Sequence, residues 1–416
     1  MYETFYHNLP NGVQIVHRKT LSPVVYVGLM IGAGTRHEQP EENGMAHYIE
    51  HCLFKGTEHY TARQIINHIE GIGGEINAYT TKEETTFYAA TLNNHFRTTL
   101  HLLADMVLRP TFNKKETDKE VTVILDEIES YNDSPSELIY DDFESLLFEG
   151  SSLAMPILGT KKTLKRISKS PDYPLHWMAQ HYRPERMVLF VQGNVSTKQV
   201  IAAAEKELLS PSPYCPIAAS PITHSEASYS QSPIAYSRTY KRHTHQTHIM
   251  LGSHTYPIGH PKQLTMFLLN NILGGGSMSS RLYLSLREKY GLVYNIDSQA
   301  VPLSDTGYWD IYLACEPQHK DQCLELCHKE LQTLRDVRLT SAQLQRALRQ
   351  LEGQLAISAE NQENNALAMA KQMLYHHRAP QWQETFAKVQ QITPAQLQDV
   401  ANEVFAPDKI YTLLYD

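Results

Sequence analysis

Two histidines four residues apart give the chain its clearest chemical signal. His47 and His51 lie in the segment GMAHYIEHCLFKGT, residues 44–57, and a helix is predicted near residues 44–54. On a helix, side chains at i and i+4 share one face, so two imidazoles at this spacing can hold one Zn²⁺. Glu50 lies about 60° from His47 around the helix axis, within reach of a water on that metal. Zinc lowers the pKa of such a water, and a nearby carboxylate can accept its proton.

A catalytic zinc needs a third protein ligand, and the predicted helix DKEVTVILDEIESY, residues 118–131, offers candidates. Glu120 and Glu127 are seven residues apart, so they differ by only about 20° around the axis and lie along one edge of an apolar stripe. Glu129 lies at the other edge and is the weaker alternative. Without the two histidines, these glutamates would be interpreted as ordinary charges on a helix, and the histidines alone as polar residues on a solvated face.

The combination resembles the pitrilysin/insulinase metallopeptidases, the inverzincins that include mitochondrial processing peptidase. Their pattern is H-x-x-E-H followed about 75 residues later by a glutamate, with a second glutamate seven residues before it. Here His51 is followed by 75 intervening residues and then Glu127, with Glu120 at the matching place. The resemblance implies one Zn²⁺ per chain, bound by His47, His51 and Glu127. It also implies that Glu50 is the general base and that Glu120 supports the site, either catalytically or only structurally.

The second half of the chain also resembles this family. The segment GGGSMSSRLYLSLREKYGLVYNIDS, residues 274–298, is similar to the family's Gly-rich segment, and Arg287 and Tyr294 stand at the family's spacing of seven. The resemblance implies that both residues help to bind substrate and to stabilise the tetrahedral oxyanion. A phenol and a guanidinium are donors suited to developing negative charge. Taken alone, Arg287 would be an ordinary helix-surface charge and Tyr294 a strand residue.

A probable hairpin over residues 73–92, rich in Thr and Tyr, provides a candidate for substrate binding. Its first part, GGEINAYT, resembles the family's substrate-binding edge strand, with Asn77, Ala78 and Tyr79 at the centre. An extended peptide could add to such a strand through main-chain hydrogen bonds, which suits broad specificity. An alternative remains open, in which Asn77 is a structural turn residue.

The elements that position these residues are predicted to be helices and strands in alternating groups. Strands extend to about Ala33, and helices follow near residues 44–54 and from Ala62. After the hairpin come helices over about 94–108 and 114–131, and the second half repeats this order with a hairpin over 291–315. The predicted fold class is α+β, with two homologous domains that are each a mainly antiparallel sheet packed with helices. By resemblance, the two domains together form half of a clamshell.

A diverged duplication accounts for this repeated order. Residues 171–190 and 394–413 match at an offset of 223, where Pro184 meets Pro407 and both stretches have a helix, a turn and a strand. The segment between the halves is rich in Pro, Ser and Ala, so it is predicted to be a linker. The predicted domains are an N-terminal zinc-binding peptidase domain, a linker, and a related C-terminal domain that carries the Arg/Tyr pair but lacks the zinc motif: residues 1–210, 211–233 and 234–416.

Composition excludes several classes of protein. The 416 residues contain 37 Lys plus Arg and 45 Asp plus Glu, and a net charge of −8 argues against a general nucleic-acid binder. No run approaches the roughly 18 apolar residues of a membrane span, and no secretory signal is visible at the N-terminus. The five cysteines are dispersed rather than arranged as a disulfide framework, which indicates a reducing, cytoplasmic location.

The length of the chain bears on its assembly. At the place that matches the zinc motif, the second half has LTMFLLNNILGGG, residues 264–276, so one chain carries one zinc site. By resemblance, a chain of this length is half of a chamber that closes around peptide. Because the chain keeps both the zinc motif and the Arg/Tyr pair, we expect a homodimer, and a heterodimer with a related subunit remains possible.

The sequence therefore predicts a zinc-dependent endopeptidase that hydrolyses peptides or unfolded polypeptides within a closed dimeric chamber. Two other functions remain open from the sequence. One is a presequence-processing peptidase, which differs only in its substrate. The other is a non-catalytic binding or assembly subunit, although the family members of that kind lose the zinc motif that this chain keeps.

Overall fold

The α+β pattern of the sequence corresponds to two structural units, each built on its own sheet. A computed structural model of the chain describes residues 3–170, 172–209, 236–242 and 244–416. The predicted linker, residues 211–233, lies outside the described residues.

The two units are discontinuous in sequence. The first consists of described residues within Met1–Glu129, Gly150–Ala227 and Ala359–Pro380. The second consists of described residues within Ser130–Glu149, Ser228–Ser358 and Gln381–Asp416. These units differ from the predicted domains at two segments, 130–149 and 359–380, each of which is grouped with the sheet of the other half of the sequence.

The strands form a six-stranded and a five-stranded sheet. The first sheet contains β1 (Thr4–Asn8), β2 (Gln14–Lys19), β3 (Val24–Ile31), β4 (Glu75–Thr80), β5 (Thr85–Leu92) and β6 (Met187–Gly193) in the order β1-β2-β6-β3-β5-β4. The second contains β7 (Ser237–Tyr240), β8 (Thr247–Thr255), β9 (Val293–Pro302), β10 (Gly307–Cys315) and β11 (Tyr411–Tyr415) in the order β7-β11-β8-β10-β9. Most neighbouring strands are antiparallel, which confirms the predicted fold class.

The strand orders of the two sheets correspond to each other. From β2 to β4, the order of the first sheet matches that of the second sheet from β7 to β9, strand for strand. The matching pairs β2–β6 and β7–β11 are also the parallel pairs within their sheets. This agreement supports the predicted duplication, because two unrelated halves would have no reason to place the one parallel pair of each described sheet at the same position.

Helices follow the strands in both halves of the sequence. They are α1 (Met45–Leu53), α2 (Ala62–Glu70), α3 (Phe96–Leu108), α4 (Lys114–Asn132), α5 (Pro135–Leu147), α6 (Lys161–Ile167), α7 (Asp172–His181), α8 (Thr197–Leu208), α9 (Gln263–Leu273), α10 (Lys320–Asp336), α11 (Ser341–Ser358), α12 (Gln362–His376), α13 (Trp382–Val389) and α14 (Pro394–Val404). Within the described chain, none of these helices has the length and apolar character that crossing a membrane requires.

Helix α1 is anchored at its first turn by a buried carboxyl group. The backbone N–H groups of Gly44 and Ala46 each donate to Glu38, at 2.8 Å, and so satisfy two of the donors that a helix N-terminus leaves free. Gly44 has a φ of 92°, and a Cβ at this position would lie 2.8 Å from the Cα of Gly159. A larger residue at Gly44 would therefore be strained and would push α1 away from its neighbour. Along the helix, Met45 to Ile49 are buried.

The exchanged segments cover the second face of each sheet. In the first unit, Met30, Val188 and Phe190 form an apolar cluster with residues of α12, including Met369 and Met373. Every residue of β6 is buried as a result, because helices pack on both sides of the sheet. In the second unit, α5 contacts β8 and β11 in the same way. The domain boundaries predicted from the sequence do not include this exchange. The hydrophobic pattern of a helix indicates which of its faces is apolar, but not which sheet that face covers.

Glu84 adds a polar anchor to the helix α12. Its carboxylate is 1% exposed and accepts hydrogen bonds from the Lys371 ammonium at 2.7 Å and from the Tyr375 hydroxyl at 2.6 Å. A buried carboxylate needs such donors to offset its loss of water. These hydrogen bonds therefore help to fix the position of α12 along the sheet, in addition to the apolar contacts that the helix makes.

Buried His17 gives the fold a pH dependence that can be measured. Its side chain on β2 is 1% exposed, and burial lowers the pKa of the imidazole to about 4, with a smaller contribution from the Lys19 charge. The unfolded chain takes up this proton near pH 6.5 and the folded chain only near pH 4, so the unfolded state binds more protons between these values. Stability from this group therefore falls as the pH falls from 6.5 to 4.

We predict that His17→Phe removes this dependence. Between pH 6.5 and 4, the wild type should lose about 3 kcal/mol of unfolding free energy relative to the variant. Urea denaturation across this pH range measures the difference, with His95→Phe, which removes a half-buried imidazole, as the control. Equal pH dependence of the unfolding free energy in the wild type and His17→Phe would contradict the lowered pKa of His17.

Candidate metal centre

Helices α1 and α4 bring together the three residues proposed from the sequence as metal ligands. One donor atom each from His47, His51 and Glu127 lies within 4.8 Å of the other two. The Glu127 Oε2 atom is 3.6 Å from His51 Nε2 and 3.8 Å from His47 Nε2. Among the residues that the structure describes, no other group of three His, Cys, Asp or Glu side chains converges this closely.

The chemistry of these donors fits a zinc ion. Two imidazole nitrogens and one carboxylate oxygen are the ligand set of one class of catalytic zinc site, which leaves a fourth position open. Burial lowers the pKa of His47 to about 3, with the nearby His51 adding to the effect, so that His47 stays neutral. A neutral imidazole keeps the lone pair that a metal requires. The side chain of Glu127 is 43% exposed, which leaves the centre open to solvent on that side.

Glu50 lies beside this centre on α1, half-buried. Burial raises the pKa of its carboxyl group, and the hydrogen bond from Thr80 partly offsets the increase. In that bond the Thr80 hydroxyl, at the end of β4, donates to Glu50 Oε2 at 2.5 Å. The bond holds the carboxylate in one orientation, which a base needs for directed proton transfer.

Glu120 lies behind the centre rather than in it. It is 7% exposed, and its Oε2 atom is 3.2 Å from His51 Nδ1, the ring nitrogen that faces away from Glu127. Its other oxygen is 2.8 Å from the Lys55 ammonium. A carboxylate in this position orients a metal-binding imidazole without touching the metal. Glu129, the weaker alternative in the sequence, is exposed and is not among the three converging residues.

The stripe that carries Glu120 and Glu127 packs as the sequence predicts. Ile124 is fully buried, and Val121, Leu125 and Ile128 are half-buried against the same core as α1. Because the helix is held by this stripe, its two glutamates are presented toward α1 at one edge.

The candidate substrate-binding residues lie on an edge strand. Within the described sheet, β4 pairs only with β5, with Asn77 opposite Tyr88 and Ala78 opposite Phe87. Tyr79 packs on the α12 face of the sheet, with its ring 6.5 Å from that of Tyr88. Asn77 is thus a strand residue with an exposed side chain, and the turn follows at residues 81–84. The interpretation of Asn77 as a turn residue is therefore wrong.

Arg287 and Tyr294 lie in the second unit, stacked on each other. The guanidinium carbon of Arg287 is 5.2 Å from the centre of the Tyr294 ring and 4.8 Å from that of Tyr283. Tyr294, on β9, is 76% exposed. Arg287 lies in a π-helix over Tyr283–Lys289 and not on an ordinary helix surface, and such irregular turns occur frequently at functional sites.

Two polar residues that contact Glu120 and Glu50 were missed in the sequence. Lys55 lies beyond the end of α1 and Thr80 is the last residue of β4, so the periodicity of these elements does not indicate what their side chains contact. A Lys four residues after His51 was the one available hint, because that spacing would share its face if the helix continued.

Comparison with known proteins agrees with this geometry. The sequence profile of the family described as "Insulinase (Peptidase family M16)" matches residues 14–161, and "Peptidase M16 inactive domain" matches residues 172–351. The uncharacterized zinc protease YmxG of Bacillus subtilis is 33% identical over 408 residues, which cover 97% of this chain and 96% of that protein. An uncharacterized zinc protease of Streptomyces coelicolor is 31% identical over 402 residues, covering 95% of this chain and 86% of that protein.

Solved structures show the same fold at lower sequence identity. A protease from Helicobacter pylori superposes with a TM-score of 0.90 over 100% of both chains, at 20% identity. A peptidase M16 inactive domain from Pseudomonas fluorescens gives 0.88 over 99% of this chain and 97% of that one, also at 20% identity. These two similarities support the two-domain architecture.

We predict that the chain binds one Zn²⁺ and that Glu127→Gln weakens this binding by at least about tenfold, because the amide replaces a charged ligand. Competition with a chromophoric chelator measures the dissociation constant. The matched control is Glu129→Gln on the same helix, which should bind zinc as the wild type does. If both variants lost zinc affinity equally, Glu127 would have no special role in binding the metal.

Proposed function

Because the chain belongs to the insulinase family of peptidases, M16, we propose that it is a zinc-dependent endopeptidase. Its substrates would be peptides or unfolded polypeptides, hydrolysed inside a closed chamber formed by two chains. The proposal includes a cytoplasmic location, which is supported by four described cysteines that are buried and free.

The observation that carries this proposal is the convergence of three ligands beside an oriented carboxylate. His47, His51 and Glu127 supply the donors, and Glu50 lies next to them with a hydrogen bond from Thr80. This arrangement favours a peptidase over a non-catalytic assembly subunit, because a binding protein has no need of a base at a metal site.

When bound, Zn²⁺ supplies Lewis acidity that makes water nucleophilic at neutral pH and polarises the scissile carbonyl. Glu50 accepts the proton of the attacking water and returns it to the leaving amine, so it acts first as base and then as acid. The Thr80 hydroxyl keeps Glu50 pointing in one direction through both transfers. The raised pKa of Glu50 makes it a stronger base than an exposed carboxylate.

The substrate would bind as an added strand. The outer edge of β4 has no neighbouring strand within the described sheet, so its backbone N–H and C=O groups are available to an extended peptide. Thr80 belongs to the same strand as Asn77, Ala78 and Tyr79. A peptide along β4 would therefore extend toward Glu50, with its main chain recognised more than its side chains.

A homodimer would complete each site. Arg287 and Tyr294 carry donors suited to an oxyanion, and Tyr294 is exposed. We propose that these two residues act on peptide held at the zinc centre of the partner subunit. Each dimer would then contain two equivalent sites, each made of residues from both chains.

We predict that Glu50→Gln abolishes peptide cleavage while zinc remains bound. The amide cannot accept the proton, so kcat should fall by about 10² to 10⁴-fold, and metal analysis should still find one zinc per chain. Glu41→Gln, an exposed carboxyl before α1, is the control and should leave cleavage unchanged. A Glu50→Gln enzyme that cleaves as fast as the wild type would rule out the proposed base.

The shared sites predict complementation between two inactive variants. A mixed dimer of Glu50→Gln and Arg287→Ala has one site with both defects and one with neither, so about half of the wild-type activity should return. Tandem affinity purification of co-expressed chains with different tags isolates this dimer. If the mixed dimer is as inactive as its parents, each site is built within one chain.

A further inference from the structure

A chain of polar contacts extends from one proposed ligand to a lysine that the proposed reaction does not use. His51 Nδ1 lies 3.2 Å from Glu120 Oε2, and Glu120 Oε1 lies 2.8 Å from the Lys55 Nζ atom. Both oxygens of the carboxylate are thereby occupied, one by the imidazole and the other by the ammonium. The ring nitrogen at the opposite side of His51 is the one that faces Glu127.

We propose that Lys55 is a positioning residue that acts through Glu120 to hold His51 in its metal-binding orientation and so increases zinc affinity. This inference rests on the proposed zinc site but not on the cleavage reaction. Lys55 has no contact with the three converging ligands in the described ion pairs, so its effect has to pass through Glu120.

Burial explains why Glu120 needs Lys55. The Glu120 side chain is 9% exposed, and burying a carboxylate away from water is costly unless it has a partner. The Lys55 ammonium provides a full opposite charge at hydrogen-bonding distance. Its own side chain is 28% exposed, so it keeps part of its hydration while it neutralises Glu120.

The paired carboxylate faces His51 Nδ1, the ring nitrogen on the side away from Glu127. A carboxylate oxygen accepts hydrogen bonds, so it favours the tautomer of His51 in which Nδ1 donates. In that tautomer, the lone pair of Nε2 is on the side of Glu127, where a metal would bind. Carboxylates behind metal-binding histidines fix the ring and raise its basicity, and their loss typically weakens metal binding by about 10 to 100-fold.

The two proposed histidine ligands differ in this respect. His47 Nδ1 is buried and has no hydrogen-bond partner among the described residues. His51 is therefore the imidazole through which a surrounding charge can act on the metal. In the described part of the chain, Lys55 is also the only lysine or arginine in an ion pair with Glu120.

The nearby surface offers a matched control. Lys119 precedes Glu120 on α4 and pairs with Glu116 at 2.9 Å, with 58% of its side chain exposed. This pair has the same chemistry as Lys55–Glu120 but no connection to His51. A difference in zinc affinity between the Lys55 and Lys119 variants would thus report on the contact through Glu120 to His51, and not on the loss of a positive charge near α4.

The test measures zinc dissociation constants by competition with a chromophoric chelator, without peptide. Lys55→Met should raise the constant by about 10 to 100-fold, and Lys55→Arg should restore most of the affinity. Lys119→Met should bind as the wild type does. Circular dichroism and the thermal midpoint of the metal-free proteins verify that each variant folds.

A double variant separates positioning from general damage and remains useful if Lys55→Met fails to fold. Glu120→Gln removes the buried charge, so Lys55→Met in that background leaves no unpaired anion. The double variant should bind zinc within about threefold of Glu120→Gln alone, because Lys55 acts only through that carboxylate. A further tenfold loss would show that Lys55 acts by another route and would overturn the inference.

The remaining outcomes distinguish this inference from the proposed function. If the wild type binds one zinc and Lys55→Met binds it equally well, the role of Lys55 is wrong and the peptidase proposal stands. If the wild type binds no zinc, both are wrong. If Lys55→Met and Lys119→Met weaken binding alike, the effect is one of surface charge, and the inference again fails.

Discussion

Three donor atoms on two separate helices have to stay within a few ångströms of one another for this metal centre to exist. α1 carries His47 and His51, and α4 carries Glu127, so the ligand set depends on the register between the two helices. One residue of sliding along a helix moves a side chain by about 1.5 Å and turns it by about 100°. Such a shift would remove Glu127 from the group.

The surroundings of α1 and α4 fix that register. The Glu38 carboxyl group holds the first turn of α1, and the close approach at Gly44 leaves no space for the helix to move outward. On α4, Ile124 is fully buried in the same core. Polar contacts then connect the helices just behind the centre, where Glu120 contacts His51 and Lys55. The same packing that stabilises the first unit thus also orients the three proposed ligands.

The edge strand β4 would connect this centre to the proposed substrate. Thr80 ends the strand and donates to Glu50, so the position of the proposed base depends on the position of β4. Ile76 and Ala78 pack into the core with α1, which keeps strand and helix together. A peptide added to β4 would therefore meet a base whose orientation is set by the strand that binds it.

Short-range spacing predicted the main elements, and it named the three proposed ligands that the structure brings together. The histidine spacing, the apolar stripe of α4 and the hairpin of β4 and β5 are local patterns, and the structure contains each of them. Contacts that depend on tertiary packing were not predictable in this way. Lys55 lies beyond the end of α1, and α12 covers a sheet that is distant in sequence, so neither periodicity nor composition indicates what they contact.

The irregular conformation at Arg287 has a similar cause. The sequence around it has the composition of an ordinary helix, whereas the structure contains a π-helix in which the side chain contacts two tyrosine rings. These ring contacts involve Tyr294, which belongs to a strand, and they form only in the folded chain. Local propensity is a weak guide where tertiary contacts of this kind decide the backbone.

The most direct test of the central claim is zinc X-ray absorption spectroscopy of the metal-loaded protein. We expect a first shell of about four light ligands at roughly 2.0–2.2 Å, with the outer-shell scattering of two imidazoles. The His47 and His51 rings would provide that scattering, and Glu127 one of the remaining ligands. A shell of oxygen atoms without imidazole scattering, or one that contains sulfur, would contradict it.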